Sequence, residues 1–308
     1  MTNSICDLVP EITSSSIWQR INVLLDRYLT FEHLHDRLQD LPHQFNQPQP
    51  RSWNAIDWHA IHPSQIVGIE LEVFRSILVG AINTEAPIRG YTQASRQYLE
   101  MLHPQMAQFV GDRVDSANRL IEPGLWEKEE RQHTPALLKI YAQLTGEKFS
   151  PTPHEARPHT PSDDPRSSLY RHGMHRIATE YGATCLYLWL MAHTTGPLQA
   201  VLAELTIDEI NHMTKFWGFG VWAFPETSPI YITRTLATTS QGKIAYSRNR
   251  SSLIGTLHRM TEVLNWQAWS WHNRTTFAYV SMRVLMRLWK WNNTLTRNYL
   301  DLVFEPNL

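Results

Sequence analysis

Cysteine is almost missing from this chain. Cys6 and Cys185 are the only two in 308 residues, they lie far apart, and neither belongs to a CxxC pair. That excludes a zinc knuckle or a disulfide framework and points to a reducing compartment. An excess of charge of either sign is missing too. With 28 basic and 29 acidic side chains the formal net charge is −1, so no global field draws the chain to nucleic acid or to an anionic membrane. There is no long hydrophobic run. The most apolar stretch, 183–192, is too short to span a bilayer, and residues 1–10 lack the basic and apolar regions of a secretory signal. A soluble, cytoplasmic chain is expected. Neither a series of alternating strands nor a repeat of fixed period is present.

What the chain does have is helical periodicity and bulk. Hydrophobic residues make up 42%, enough for a substantial core, and 12 residues are Trp. Ser14–Ser16 cap an amphipathic stretch from Ile17 to Leu41, with Ile21, Leu24, Leu25, Tyr28 and Leu29 at helical spacing. A polar link follows, and Pro63–Ser64 opens a second helix over 65–86. Further helices are predicted over 92–102 and over 112–146 with an interruption at Pro123–Gly124. Proline-rich 149–168 reads as a surface loop. Helices over 169–193 and 198–217 follow, and 248–302 reads as one or two more with a Trp-rich face. The fold class is therefore all-α.

The chemistry lies in carboxylate–imidazole pairs. With 18 Glu and 15 His, random placement gives roughly one Glu-x-x-His; the chain has four. Glu32/His35 falls in a heavily charged run and Glu100/His103 ends at Pro104. Glu130/His133 and Glu209/His212 are flanked by apolar residues and are expected to face inward. Positions i and i+3 share one helix face, so each pair can reach one metal ion. Two such helices, with a single Glu from each of two others, build the carboxylate-bridged di-iron site of ferritin-like bundles. Glu180, among small and apolar neighbours, is the first single carboxylate; its competing account is a groove carboxylate paired with Arg176. Glu85 is the second, after the apolar run 77–82, with Glu70 as runner-up. Carboxylate and imidazole suit iron, with a manganese–iron pair open.

These residues also carry a resemblance. Trp126-Glu127-Lys128-Glu129-Glu130-Arg131-Gln132-His133, followed by Leu137-Leu138, resembles the first metal motif of the soluble acyl-ACP desaturases, and Asp208-Glu209-Ile210-Asn211-His212 resembles their second. Glu85, with Pro87 and Tyr91 after it, looks like their first ligand helix. Asp164-Pro165-Arg166, Tyr170 and Glu180 look like the approach to their third ligand. The similarity covers roughly residues 70–220, and nothing from about Phe224 onward matches it. Thr134-Pro135, directly after His133, departs from the pattern and should disturb the helix.

The resemblance implies a ferritin-like helical homodimer that activates O₂ and breaks a C–H bond of a fatty acyl chain. That chain is carried as an acyl carrier protein thioester, and electrons come from ferredoxin. By carry-over Glu85, Glu130, His133, Glu180, Glu209 and His212 are the ligands of two iron ions, with Glu130 and Glu209 bridging. The expected organisation is an N-terminal helical extension over 1–62, a four-helix core over 63–225 and C-terminal helices over 226–308. Asp208 and Trp126 are candidate partners of the ligands, Asp208 for the imidazole N–H on the opposite metal. Thr179 and Thr184 flank Glu180 and can relay protons, or serve only in packing. Arg248, Arg250 and Arg259 can face an acidic carrier or plain solvent. Trp266, Trp269, Trp271, Trp289 and Trp291 can line an acyl channel or pack helices. The expected activity is O₂-dependent oxidation of an apolar acyl-type substrate. The alternatives are a di-iron oxidoreductase on another small molecule, and a non-catalytic or ferroxidase-type iron bundle.

Overall fold

The computed structural model describes residues 16–117, 119–152, 164–225, 261 and 263–305. They are mostly helical: α1 (Ile17–Tyr28), α2 (Phe31–Gln39), α3 (Leu41–Asn46), α4 (Leu71–Glu85), α5 (Ile88–Leu99), α6 (Pro104–Val110), α7 (Leu125–Glu130), α8 (His133–Thr145), α9 (Pro165–Ala192), α10 (Gly196–Ala223), α11 (Trp271–Asn292) and α12 (Arg297–Phe304). A short antiparallel hairpin, β1 (Arg113–Val114) and β2 (Leu120–Glu122), is the only sheet among the described residues. No helix among them is long and apolar enough to cross a membrane.

Helices α9 and α10 are the centre of the molecule. A short turn joins them and they share the most extensive helix–helix interface. Helix α4 packs on α8, and α5 lies against α7 and α9. Helices α1 and α11 cover the other side of α9, and α2 and α12 cover α10. Along α10 the buried Leu198, Leu202, Leu205, Glu209, His212, Phe216 and Phe219 recur at spacings of three and four. One stripe thus carries both packing groups and charged groups inward. In α4 the buried Phe74, Ile77, Leu78, Ala81 and Ile82 define the same kind of stripe, and its next turn reaches Glu85.

Several predicted boundaries are corrected. The stretch 17–41 is broken after Tyr28, because Thr30 accepts a hydrogen bond from the His33 N–H and starts a new helix. The helix expected from 65 begins at Leu71, because Gly68 takes a left-handed conformation and Glu70 is extended. Pro87 separates α4 from α5, which starts before the predicted Thr92. Helix α9 opens at Pro165, inside the span read as loop, with Asp164 capping the Ser167 N–H. The rest of that loop, 153–163, lies outside the described residues, as do Arg248, Arg250 and Arg259.

The largest correction concerns 112–122, which is hairpin rather than helix. Asp115 Oδ1 accepts hydrogen bonds from the N–H groups of Ala117 and Arg119, both at 2.9 Å, so a side-chain turn displaces the helical one. The disturbance expected from Thr134-Pro135 falls just before them, at Arg131–Gln132. Helix α7 ends at Glu130 and α8 resumes at His133, with Pro135 in its first turn, where its missing N–H costs nothing.

Candidate metal centre

Four helical elements converge on one buried point. Helix α4 brings Glu85, the α7–α8 break brings Glu130 and His133, α9 brings Glu180, and α10 brings Glu209 and His212. These six fall into two overlapping groups able to hold a metal ion, Glu85/Glu130/His133/Glu209 and Glu130/Glu180/Glu209/His212, with ligand atoms in each lying within 4.8 Å of one another. Glu130 and Glu209 belong to both. Glu70 stands apart, exposed at the other end of α4. Glu32 and Glu100 are also exposed, while His103 caps α6 and its Nε2 lies 2.9 Å from the Phe304 carbonyl.

Distances inside the cluster match a ligand shell rather than a hydrogen-bond network. His133 Nδ1 lies 3.2 Å from Glu130 Oε2, 3.4 Å from Glu209 Oε1 and 4.0 Å from Glu85 Oε2. His212 Nδ1 lies 2.7 Å from Glu130 Oε1 and 3.6 Å from Glu180 Oε2. Atoms bound to one ion at about 2.1 Å sit roughly 3 Å apart. Both Nδ1 atoms, Glu180 Oε2 and Glu209 Oε1 are buried without a hydrogen-bond partner. Buried polar atoms left this way are rare unless a group is meant to fill the gap between them. The residues therefore fit a pair of metal ions, and their four carboxylates balance two divalent charges.

Each imidazole is fixed from behind. His133 Nε2 lies 3.4 Å from Asp208 Oδ2, and His212 Nε2 lies 2.9 Å from Glu129 Oε2. A carboxylate can only accept, so each Nε2 carries the hydrogen and each Nδ1 keeps its lone pair for the cluster. Asp208 and Glu129 occupy equivalent places, each immediately before a shared Glu. Burial pushes both carboxyls up, but the hydrogen bonds and charges of the facing histidines outweigh it and hold both below the ordinary range. Arg51 adds to this at Asp208, and Lys215 at Glu129.

Residues 51–54, from the segment read as an N-terminal extension, complete the shell. The Arg51 backbone N–H donates to Glu129 Oε1 at 2.9 Å, and its Nε donates to Asp208 Oδ1 at 2.7 Å. Its remaining nitrogens reach the Glu204 carboxylate and carbonyl. Trp53 Nε1 donates to Asp208 Oδ2 at 2.7 Å, and Asn54 holds Glu204 at 2.6 Å. Arg51 thus links the carboxylates behind both imidazoles. Sequence reasoning found Asp208 and missed Glu129, Arg51, Trp53 and Glu204. The run Glu127-Lys128-Glu129-Glu130 offered a signal for Glu129, by analogy with Asp208-Glu209. Nothing local marked Arg51.

The other candidates are placed as follows. Trp126 Nε1 donates to Glu130 Oε1 at 3.1 Å, and Tyr187, which sequence reasoning did not single out, donates to Glu85 Oε1 at 3.3 Å. The Thr179 hydroxyl turns back to the His175 and Arg176 carbonyls of its own helix. Thr184, one turn beyond Glu180, is fully buried and its hydroxyl has no partner. Trp269 and Trp291 are buried, with Trp269 stacked on Trp189 at 4.5 Å, whereas Trp271 and Trp289 are exposed. These Trp residues pack or border the outer helices, as the plainer reading expected. A cleft of about 500 Å³, lined by Gly68, Glu70, Trp269 and Asn273, lies at the Glu70 end of α4, away from Glu85.

Protons take the place of cations when the cluster is bare. Burial, with the Glu130 charge next, pushes Glu85 up to about 8. Glu180 is raised chiefly by burial, and Glu209 by burial and then Glu130. Burial opposes charge on the imidazoles, yet the surrounding carboxylates raise both well above the ordinary histidine value.

No protein-family model, curated protein or solved structure matches the chain.

Proposed function

We propose that this protein is a ferritin-like di-iron oxidase that uses O₂ and external electrons to desaturate or hydroxylate an apolar, acyl-type substrate. The observation that carries this reading is the pair of overlapping four-residue groups on four helical elements, sharing Glu130 and Glu209. Four carboxylates and two imidazoles provide an oxygen-rich set with enough nitrogen for Fe(II), which separates it from the thiolate-rich sets of structural zinc.

Bound iron would supply the electrons that reduce O₂ and the oxidising power to attack a C–H bond. Desaturation consumes one O₂, two external electrons and two protons, takes two hydrogens from the substrate, and yields two waters. Hydroxylation with the same inputs inserts one oxygen and yields one water. The chain's own residues hold the geometry for either outcome. Asp208 and Glu129 keep both imidazoles in the tautomer that presents Nδ1 inward. Arg51 and Trp53 anchor Asp208. Trp126 holds Glu130 and Tyr187 holds Glu85, which limits carboxylate swing. The unpartnered Thr184 hydroxyl is the group available to pass a proton, while Thr179 is committed to its own helix. A ferredoxin-type protein fits the need for electrons.

The test is metal analysis with Mössbauer spectroscopy after Fe(II) loading. About two irons per chain, giving a coupled ferric signal after O₂, is the expected result. One iron, or uncoupled iron, overturns the reading. O₂ consumption with acyl carrier protein thioesters then tests the substrate class.

A further inference from the structure

The two sides of the cluster differ in burial. On the α7 and α10 side Trp126, Glu129, Glu209 and His212 are all buried. On the other side, residues 85–91 at the α4–α5 junction and residues 172–179 of α9 are half-buried throughout. These two segments border the Glu85–Glu180 edge of the cluster.

Arg176 stands at that edge, four residues before Glu180 on α9. Its guanidinium carbon lies 5.4 Å from the Tyr91 ring centre and 5.8 Å from that of Trp126. The Trp126 ring is the one whose N–H holds Glu130. Two aromatic rings flank the guanidinium, its Nε is buried with no hydrogen-bond partner, and Glu180 and Glu130 act on its charge from beyond ion-pair distance. Arg176 as a whole is half-buried, its Nε donor is unmatched, and a planar fork of this kind can still take a carboxylate at close range. On the same helix face, one turn earlier, Gly173 leaves its surroundings open: a Cβ there would meet nothing within 4 Å. The backbone at Gly173 therefore leaves room one turn from the Arg176 backbone.

We propose that Arg176 is the recognition site for the carboxylate of a free organic acid, which is thereby the substrate class of this centre, in place of a carrier-bound thioester. This rests on the dimetal reading above. The carboxylate docks on the guanidinium between Tyr91 and Trp126, and its chain runs past Gly173 or on toward Thr184. Arg176 lies about 6 Å before Glu180 along the helix axis, from four residues at 1.5 Å each. The charge of the acid also offsets a guanidinium that burial disfavours.

Calorimetric titration of the iron-loaded, anaerobic full chain with straight-chain acids from hexanoate to hexadecanoate, and with their methyl esters, tests this. The wild type should bind at least one acid about ten-fold or more tighter than its ester. Arg176→Gln should bring that acid down to the ester's affinity, and Arg176→Lys should fall between. Iron per chain, measured on the same samples, should equal that of the wild type in both variants. A wild type that does not distinguish acid from ester overturns the proposal, as does an Arg176→Gln protein that still does. Loss of iron from Arg176→Gln with acid binding retained makes Arg176 a charge balance for the ligands and also overturns it. A wild type that takes up no iron but keeps the Arg176-dependent preference fails the dimetal reading alone.

Discussion

Glu129 Oε2 lies 2.9 Å from Nε2 of His212, on the side of the ring facing away from the ligand cluster. That contact sets which nitrogen carries the hydrogen, and so which one is free to bind. Glu129→Gln can present its amide N–H₂ to the ring and reverse the tautomer. Metal affinity should fall about 10–100-fold with helix content unchanged. Competition against a graded chelator, with circular dichroism on the same samples, measures both. Unchanged affinity would show that the Glu129 contact is incidental.

Glu180 is the ligand contributed by α9 alone. Glu180→Ala removes a buried carboxylate whose raised pKa marks its desolvation, so folding should be tolerated. Iron-dependent O₂ consumption should be abolished while helix content stays nearly the same. Full activity in this variant removes Glu180 from the ligand set.

Metal uptake should release protons. Glu85 titrates at about 8 in the bare cluster and must be ionised to bind a cation, so affinity should climb as pH rises from 6 to 8. Stability of the metal-free chain runs the other way. The folded pKa of Glu85 exceeds its unfolded value, so its contribution is complete below about 4.5 and is lost as pH rises through 8. An indicator-dye titration reads the released protons, and Glu85→Gln should release fewer. Affinity that does not change between pH 6 and 8 would contradict this.

His193 provides a pH dependence remote from the cluster. Burial, aided by the charge of Arg20, pushes its imidazole down to about 4, although its hydrogen bond with the Val67 carbonyl opposes this. Its Nε2 is buried with no partner, so protonation strands a cation. The folded pKa lies below the unfolded one. The stabilisation is therefore full above pH 6.5 and is lost as pH falls toward 4, by at most about 3 kcal/mol. In metal-free protein, urea denaturation of wild type and His193→Gln should diverge across that window. Parallel curves would mean that the ring protonates freely in the fold.

Gly124 tests the junction that carries α7. A Cβ there would lie 2.3 Å from the Gly111 carbonyl carbon, where the end of α6 crosses the start of α7. Neighbouring contacts include Gly124 N–H to Asp112 Oδ1 at 2.8 Å and Asp112 N–H to Glu127 Oε2 at 2.9 Å. Gly124→Ala should cost about 2–3 kcal/mol in chemical denaturation. A loss under 0.5 kcal/mol would show that the crossing relaxes easily.

Much of the centre was legible because its information is local. Glu209/His212 are neighbours on a face of α10 by spacing alone, Glu130/His133 are brought together across the short α7–α8 break, and the apolar residues around both pairs mark them as inward. Glu85 continues the buried stripe of α4, and Glu180 sits among small residues on α9. Helix boundaries were less legible where a side chain competes with the backbone, as Thr30 and Asp115 do. The hairpin at 113–122 was missed because its apolar residues also fit a helical period.

The amino-acid order by itself determined the helical class and the i,i+3 spacing of the two Glu-x-x-His pairs, since both are local patterns. Only the tertiary structure decided that Arg51, 78 positions before Glu129 and 157 before Asp208, ties together the carboxylates behind both imidazoles. It also decided that Arg176 lies between Tyr91 and Trp126. Such pairings depend on which helix faces meet, and that is set by the packing of the whole core, which no local pattern encodes.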